Sequence, residues 1–162
     1  MNKTQLQQKI VDMEKQLAEL KKELEKKDKG IWKPEEEGKY YYIDAQGLVV
    51  ETKLNNWGRN VYFLSIGNYY KTEEEALKMA NYLKYTNLLR KYVEEHSEPI
   101  DWEDGTKKYF IYCTNQPRAL IIDYDYYRYQ GTIYASSEEV LLDAIEFVGE
   151  ENIKKYIFGI EE

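Results

Sequence analysis

Gly67-Asn68-Tyr69-Tyr70-Lys71-Thr72-Glu73-Glu74-Glu75-Ala76-Leu77 returns 64 residues later as Gly131-Thr132-Ile133-Tyr134-Ala135-Ser136-Ser137-Glu138-Glu139-Val140-Leu141, and Ala80 and Ala144 continue the match. In both stretches a β-rich run ends and a hydroxyl residue stands two positions ahead of Glu-Glu. Thr72 with Glu75, and Ser136 with Glu139, read as capping boxes. The hydroxyl accepts from the N3 amide and the carboxylate accepts from the cap amide. The neighbouring acids, Glu73, Glu74 and Glu138, also favour the positive start of a helix. These glutamates therefore have structural work before any catalytic work, and a helix is expected from about Thr72 to His96. Its stripe moves from Ala76, Met79, Ala80 and Leu83 to Leu89, Tyr92 and Val93, and Ser97-Glu98-Pro99 stops it. The second helix is expected from Ser137 to about Val148, closed by Gly149.

Each helix is preceded by β-rich runs. Lys39–Ile43, the turn Asp44-Ala45-Gln46-Gly47 and Leu48–Thr52 predict a hairpin. Leu54–Asn60 reads as a loop tipped by Trp57, and Val61–Ile66 as a third strand. Lys108–Cys113, a turn at Asn115-Gln116-Pro117 and a strand from Ala119 to Tyr129 repeat the pattern. A short final helix, Glu150–Phe158, carries Ile153, Tyr156 and Ile157. The expected class is α+β: two β-β-β-α-like units, about 39–96 and 107–149, sharing an antiparallel sheet covered by helices.

Ahead of this lies a different pattern. Leu6, Ile10, Met13, Leu17, Leu20 and Leu24 recur at spacings of 4, 3, 4, 3 and 4, an unbroken heptad seam with Ile10, Leu17 and Leu24 at a. Most remaining positions are Lys, Glu, Gln or Asp. The stripe is narrow, as in a two- or three-helix seam, so residues 1–29 are expected to be a coiled-coil helix that drives homo-oligomerisation, and residues 30–162 the α+β domain. In a parallel pair Lys9 at g would meet Glu14 at e, which is favourable, and Glu23 would meet Asp28, which is not. Charge leaves the orientation and the number of strands open.

Composition narrows the function. Residues 1–29 hold 8 lysines against 6 acids; the remainder holds 15 Lys/Arg against 24 Asp/Glu. A domain that acidic repels a phosphate backbone unless its basic residues cluster, so direct nucleic-acid binding is the less favoured reading. With one cysteine, Cys113, no intrachain disulfide can form, and a reducing compartment fits best. Neither an apolar signal region nor a membrane span is read, and the expected location is cytoplasmic. His96 is the single histidine and has no nucleophile beside it; one Cys and one His cannot make a zinc site. Asp101-Trp102-Glu103-Asp104-Gly105 lacks the full calcium-loop pattern. No phosphate loop or nucleophile elbow is present. No catalytic residue, metal or cofactor is expected.

Tyrosine is in excess, 17 of 162 residues, and it supplies large contact area with a polar tip. In Ile121-Ile122-Asp123-Tyr124-Asp125-Tyr126-Tyr127-Arg128-Tyr129, strand alternation puts Asp123, Asp125, Tyr127 and Tyr129 on one face and Ile122, Tyr124, Tyr126 and Arg128 on the other. The expected partner-binding surface is acidic and aromatic: Asp123, Asp125, Asp101, Glu103 and Asp104 for charge, with Tyr124, Tyr127 and Trp57 as anchors.

Trp32-Lys33-Pro34, Tyr40–Gly47 and Gly67–Leu77 together resemble small accessory proteins of phages and prophages of Gram-positive bacteria. The resemblance spans most of 31–158, excludes the coiled coil and implies no catalytic residues. It implies a phage setting, in which small acidic proteins often counter host defence. The expected function is thus a non-enzymatic inhibitor that binds a host protein, itself a nucleic-acid-handling defence factor. The alternatives are a nucleic-acid module using Tyr stacking with Arg59, Arg90, Arg118 and Arg128 on phosphates, and a coiled-coil assembly factor.

Overall fold

The computed structural model describes residues 3–27, 31–35, 37–54 and 59–160. The chain divides into two compact units, Met1–Pro34 and Glu35–Glu162. The first is helix α1, Lys3–Lys27. Ile10, Met13, Leu17 and Leu20 of the heptad seam are all more than half exposed. Leu6 and Leu24 lie on the same helix, with side chains outside the described set. Among the described residues, no helix is long and apolar enough to cross a membrane.

The second unit is mixed helix and antiparallel sheet, the α+β class. Strands β1 (Lys39–Ile43) and β2 (Val49–Lys53) form the expected hairpin, in register Ile43 with Val49 and Lys39 with Lys53. Its turn is closed by Asp44, whose carboxylate accepts from the amides of Gln46 (2.9 Å) and Leu48 (2.8 Å), while Gly47 takes φ +82°. The turn is thus made by an Asx side chain and the one residue type at ease in that conformation.

The third strand expected at Val61–Ile66 is instead helix α2, Arg59–Ser65. Val, Tyr and Phe favour strands, but two later residues decide the matter. Gly67 adopts φ +73°, its amide donates to Leu64 O (3.3 Å), and the amide of Asn68 donates to Phe63 O (2.9 Å). That pair of bonds is a Schellman cap, which satisfies the last carbonyls of a helix. Phe63 then stacks on Tyr42 of β1 with ring centroids 4.2 Å apart, a contact beyond the reach of local propensity.

Helix α3, Glu73–His96, starts where the capping box places it. Thr72 Oγ1 accepts from the amide of Glu75 (3.2 Å), and Glu75 Oε2 accepts from the amides of Thr72 (3.4 Å) and Lys71 (3.0 Å). The helix packs on both halves of the domain: on β1 and β2, and on the C-terminal helices. This accounts for the moving stripe: Ala76 is buried near one end, Leu89 and Val93 near the other, while Met79 and Leu83 stay more than a third exposed.

Strands β3 (Lys108–Cys113), β4 (Leu120–Asp125) and β5 (Tyr134–Ala135) form a second sheet in the order β4-β3-β5. The single shared sheet expected from sequence is therefore two sheets. Helix α4 is Glu138–Val148, ended by Gly149 at φ +91°; α5 is Glu150–Asn152, and a π-helical turn follows at Ile153–Ile157. The helix cap also moves by one residue: Ser137, not Ser136, accepts from the amide of Val140 (3.4 Å). Ser136 instead ties α4 to the end of α3. Its hydroxyl accepts from the amide of Glu98 (3.1 Å), and its own amide donates to Ser97 Oγ (3.3 Å). The main core joins Leu89 and Val93 of α3, Ala135 of β5, Leu141, Ala144 and Val148 of α4, and Ile153. Ile111, Leu120 and Ile122 cover it from one face of the sheet.

Candidate functional site

Of the residues singled out for binding, those at 101–104 and at 123–127 lie about one end of the three-stranded sheet. Strand β4 stops at Asp125, and the strand expected to run on to Tyr129 is replaced by a turn. Asp125 causes the stop: its Oδ1 accepts from the amides of Tyr126 (2.6 Å) and Tyr127 (3.0 Å). These bonds bend the chain as an Asx side chain does at a turn. The hydrogen bond from the Tyr127 amide, supported by the Tyr129 hydroxyl, lowers the Asp125 carboxyl below its usual range; the Tyr129 phenol is raised in turn by its bond to Asp125.

Tyr134, 8 % exposed, holds the far side of this turn. Its hydroxyl donates to Tyr127 O (3.1 Å) and accepts from the amide of Tyr129 (3.1 Å). Trp102 meets the Tyr134 ring edge-on, with centroids 4.9 Å apart, and the Arg128 guanidinium lies over Trp102 at 5.8 Å. The 101–104 loop and the 125–129 turn are thereby brought side by side, 24 residues apart in sequence but joined through Trp102, Arg128 and Tyr134.

Lys108 fixes the loop from beneath. It is 3 % exposed, and its Nζ sits 2.5 Å from Asp104 Oδ1, 2.6 Å from Thr106 Oγ1 and 2.9 Å from Thr106 O. A buried ammonium needs such partners, because desolvation without them costs several kcal/mol, on the order of a whole ion pair. Lys108, helped by the Thr106 amide, holds the Asp104 carboxyl down at about 2. Gly105, at φ +68°, lets the loop double back between these two groups.

The five acids of the expected surface thus separate into two kinds. Asp104 is committed to Lys108 and Asp125 to its turn. Asp101, Glu103 and Asp123 are exposed, with Asp101 Oδ1 accepting from the Glu103 amide (2.9 Å) and Asp123 Oδ1 from the Tyr124 amide (2.8 Å). The aromatic side is larger than expected. Tyr127 is 72 % exposed, Tyr129 53 %, Tyr126 50 % and Tyr124 41 %. Tyr126 packs edge-on against Tyr124, and Lys107 Nζ lies 4.0 Å from the Tyr124 ring centroid. Tyr126 and Tyr129 were not among the expected anchors, Tyr124 and Tyr127, and their exposure depends on where β4 ends. The signal was the Asp125 side chain, a turn former ahead of Tyr-Tyr. Trp57 lies outside the described residues.

Elsewhere the reactive side chains are engaged locally. His96 stacks on Tyr92 at 4.1 Å, with Nδ1 2.8 Å from Tyr92 O; Cys113 is half-buried on β3. Among the described residues, no group of three or more His, Cys, Asp or Glu is placed to hold a metal ion. Compared with protein-family models, curated proteins and solved structures, the chain matches none.

Proposed function

We propose that this is a non-enzymatic protein-binding protein whose contact surface is the tyrosine-rich end of the β4-β3-β5 sheet, flanked by Asp101, Glu103 and Asp123. The observation that carries the reading is the exposure of Tyr124 near the end of β4 and of Tyr126, Tyr127 and Tyr129 on the turn that follows, whose backbone is pinned by the buried Tyr134 hydroxyl. Tyrosine offers wide, rigid contact area at low entropic cost, and a pre-ordered turn lowers the cost of binding further. The three exposed carboxylates would steer a basic partner and select against acidic ones.

The resemblance to phage accessory proteins makes the partner a host protein, and the acidity of the domain favours a basic, nucleic-acid-handling defence factor. The heptad seam of α1 would add self-association, raising avidity for a repeated or oligomeric target. The test is affinity capture from host lysate with nuclease present, comparing the native chain with Tyr127→Ala and with Asp123→Lys. A stoichiometric protein that survives nuclease and is lost with the folded Tyr127→Ala chain supports the surface. Equal capture by both chains rejects it.

One observation favours a second reading, a nucleic-acid module. Lys107 and Arg128 both lie against aromatic rings of this patch, a pairing that could stack bases and contact phosphates. Salt-dependent binding of single-stranded oligonucleotides, reduced by Lys107→Ala, would replace the first reading with this one.

A further inference from the structure

Strand β4 is an open edge. The β4-β3-β5 sheet is closed on one side by β5, whose two residues are both buried, and ends on the other at β4, none of whose residues is buried. The hairpin fixes which backbone groups look outward. Thr114 N donates to Ala119 O (3.0 Å), so along the antiparallel ladder Ile121, Asp123 and Asp125 bond to β3. The amides and carbonyls of Leu120, Ile122 and Tyr124 point away from it. Asp123 Oδ1 takes up the Tyr124 amide (2.8 Å), while the amides of Leu120 and Ile122 meet no partner among the described residues.

Exposed edges are templates for further strands, and proteins commonly blunt them with charge, proline or a bulge. The other hairpin does so: β2 carries Lys53 and also Glu51, which pairs with Lys39 at 2.7 Å. Between Arg118 and Asp123, by contrast, the chain offers Ala119-Leu120-Ile121-Ile122, with neither charge nor proline. Leu120 and Ile122 face the core, so Ile121 and Asp123 share the outer face. A strand added at this edge would lie about 4.8 Å away, with its own side chains directly across from Ile121 and Asp123.

We infer that β4 takes up an extended segment of a partner protein as an additional antiparallel strand, with an apolar residue across from Ile121 and a Lys or Arg across from Asp123. This deepens the protein-binding reading and rests on it. Main-chain bonds along the edge give affinity, and the side chains opposite Ile121 and Asp123 give specificity. Antiparallel pairing is the more stable per residue. Charge chooses the occupant. In a symmetric β4–β4 pair centred on Ile122, each Asp123 would lie opposite the other copy's Ile121, with no cation across from it. Residues 30–162 hold 24 acids against 15 Lys/Arg, so two copies also repel where a basic segment is attracted.

The probe is the end-capped peptide Thr-Arg-Thr-Ile-Thr, which sets Arg across from Asp123 and Ile across from Ile121 when its central Thr pairs with Ile122. It is titrated into the full chain and followed by amide chemical shifts and hydrogen exchange. Saturable shifts should centre on Leu120, Ile122 and Tyr124, with slowed exchange at Leu120 and Ile122. N-methylation of the central Thr, whose amide faces β4, should weaken binding roughly tenfold; N-methylation of the Ile, whose amide faces away, should cost under about threefold. Glu in place of the Arg should weaken the peptide roughly tenfold, and Asp123→Lys in the chain should reverse that preference. No saturation, equal effects of the two methyl groups, or shifts centred elsewhere would each overturn the proposal. So would slow exchange at Leu120 and Ile122 without peptide that rises with chain concentration, because a second copy then holds the edge. The peptide stops short of the turn, so Tyr127→Ala should bind it within about twofold of the native chain. Lysate capture lost in Tyr127→Ala, with no peptide docking, would overturn strand addition alone. Docking, with capture unchanged by Tyr127→Ala, would uphold strand addition and reject the tyrosine surface alone.

Discussion

The two copies of the repeat share a plan and differ in how they finish it. In each, the first strand is central. β1 has β2 on one side and Tyr70 on the other, Tyr41 and Tyr70 exchanging amide–carbonyl bonds of 3.0 and 2.8 Å. β3 has β4 on one side and β5, beginning at Tyr134, on the other. Tyr70 and Tyr134 are the same position of the repeat, so the motif encodes a strand-ending contact as well as a helix start. Between the hairpin and that contact the copies part. The first inserts helix α2; the second inserts the tight turn that carries the exposed tyrosines. The lesson is that the repeat supplies the frame, and the segment inserted before Tyr70 or Tyr134 is free to vary. Surface function is expected to concentrate in such segments.

The greatest contrast should appear in the core. Leu141 is fully buried and lies in the cluster that joins α3, α4 and β5, whereas the equivalent Leu77 is 45 % exposed. Leu141→Ala should cost about 2–5 kcal/mol by urea unfolding. Leu77→Ala should cost under about 1 kcal/mol, because an exposed side chain leaves no cavity. Equal losses would mean that the two halves share one core.

A second contrast is electrostatic. Buried Lys108 starts the central strand of the second copy; in the first, Lys39 starts β1 on the surface, 2.7 Å from Glu51. Asp104 titrates at about 2 in the folded chain, below the usual 3.8, so its stabilising effect is present above pH 4 and lost as pH falls toward 2. Lys108→Met should lower stability near neutral pH and flatten that acid arm of the stability–pH curve. An acid arm that keeps its slope in this variant would assign the effect to other carboxylates.

The smallest contrast lies at the helix starts. Thr72 and Glu75 satisfy donors in both directions, whereas Ser137 makes the one long bond to Val140. Thr72→Ala should therefore cost about 1–2 kcal/mol and Ser137→Ala about 0.5–1 kcal/mol in thermal unfolding. The reverse order would show that the motif is read more strongly in its second copy.

Much of this molecule was legible before folding, and the legible parts are short-range. The bounds of α3 and α4 and the Asp44–Gly47 turn follow from bonds between residues two to four apart, which any chain with those residues can make. The heptad seam of α1 is equally local as a pattern. Three features required the tertiary structure. Residues 59–65 carry strand formers, yet Gly67 and Asn68 close them as a helix and Phe63 finds Tyr42. β4 ends at Asp125, which leaves Tyr124 on the strand and puts Tyr126, Tyr127 and Tyr129 beyond it on the turn. Asp104 and Asp125 read as free surface charge, but Lys108 and the turn amides take them up. In each case the bonds themselves are short-range, and packing in the fold selects them: Phe63 on Tyr42, the Tyr134 hydroxyl on the 127–129 backbone, and the burial of Lys108. One-dimensional patterning ranks which residues can form a contact, and only the folded chain decides which of them are left exposed to meet a partner.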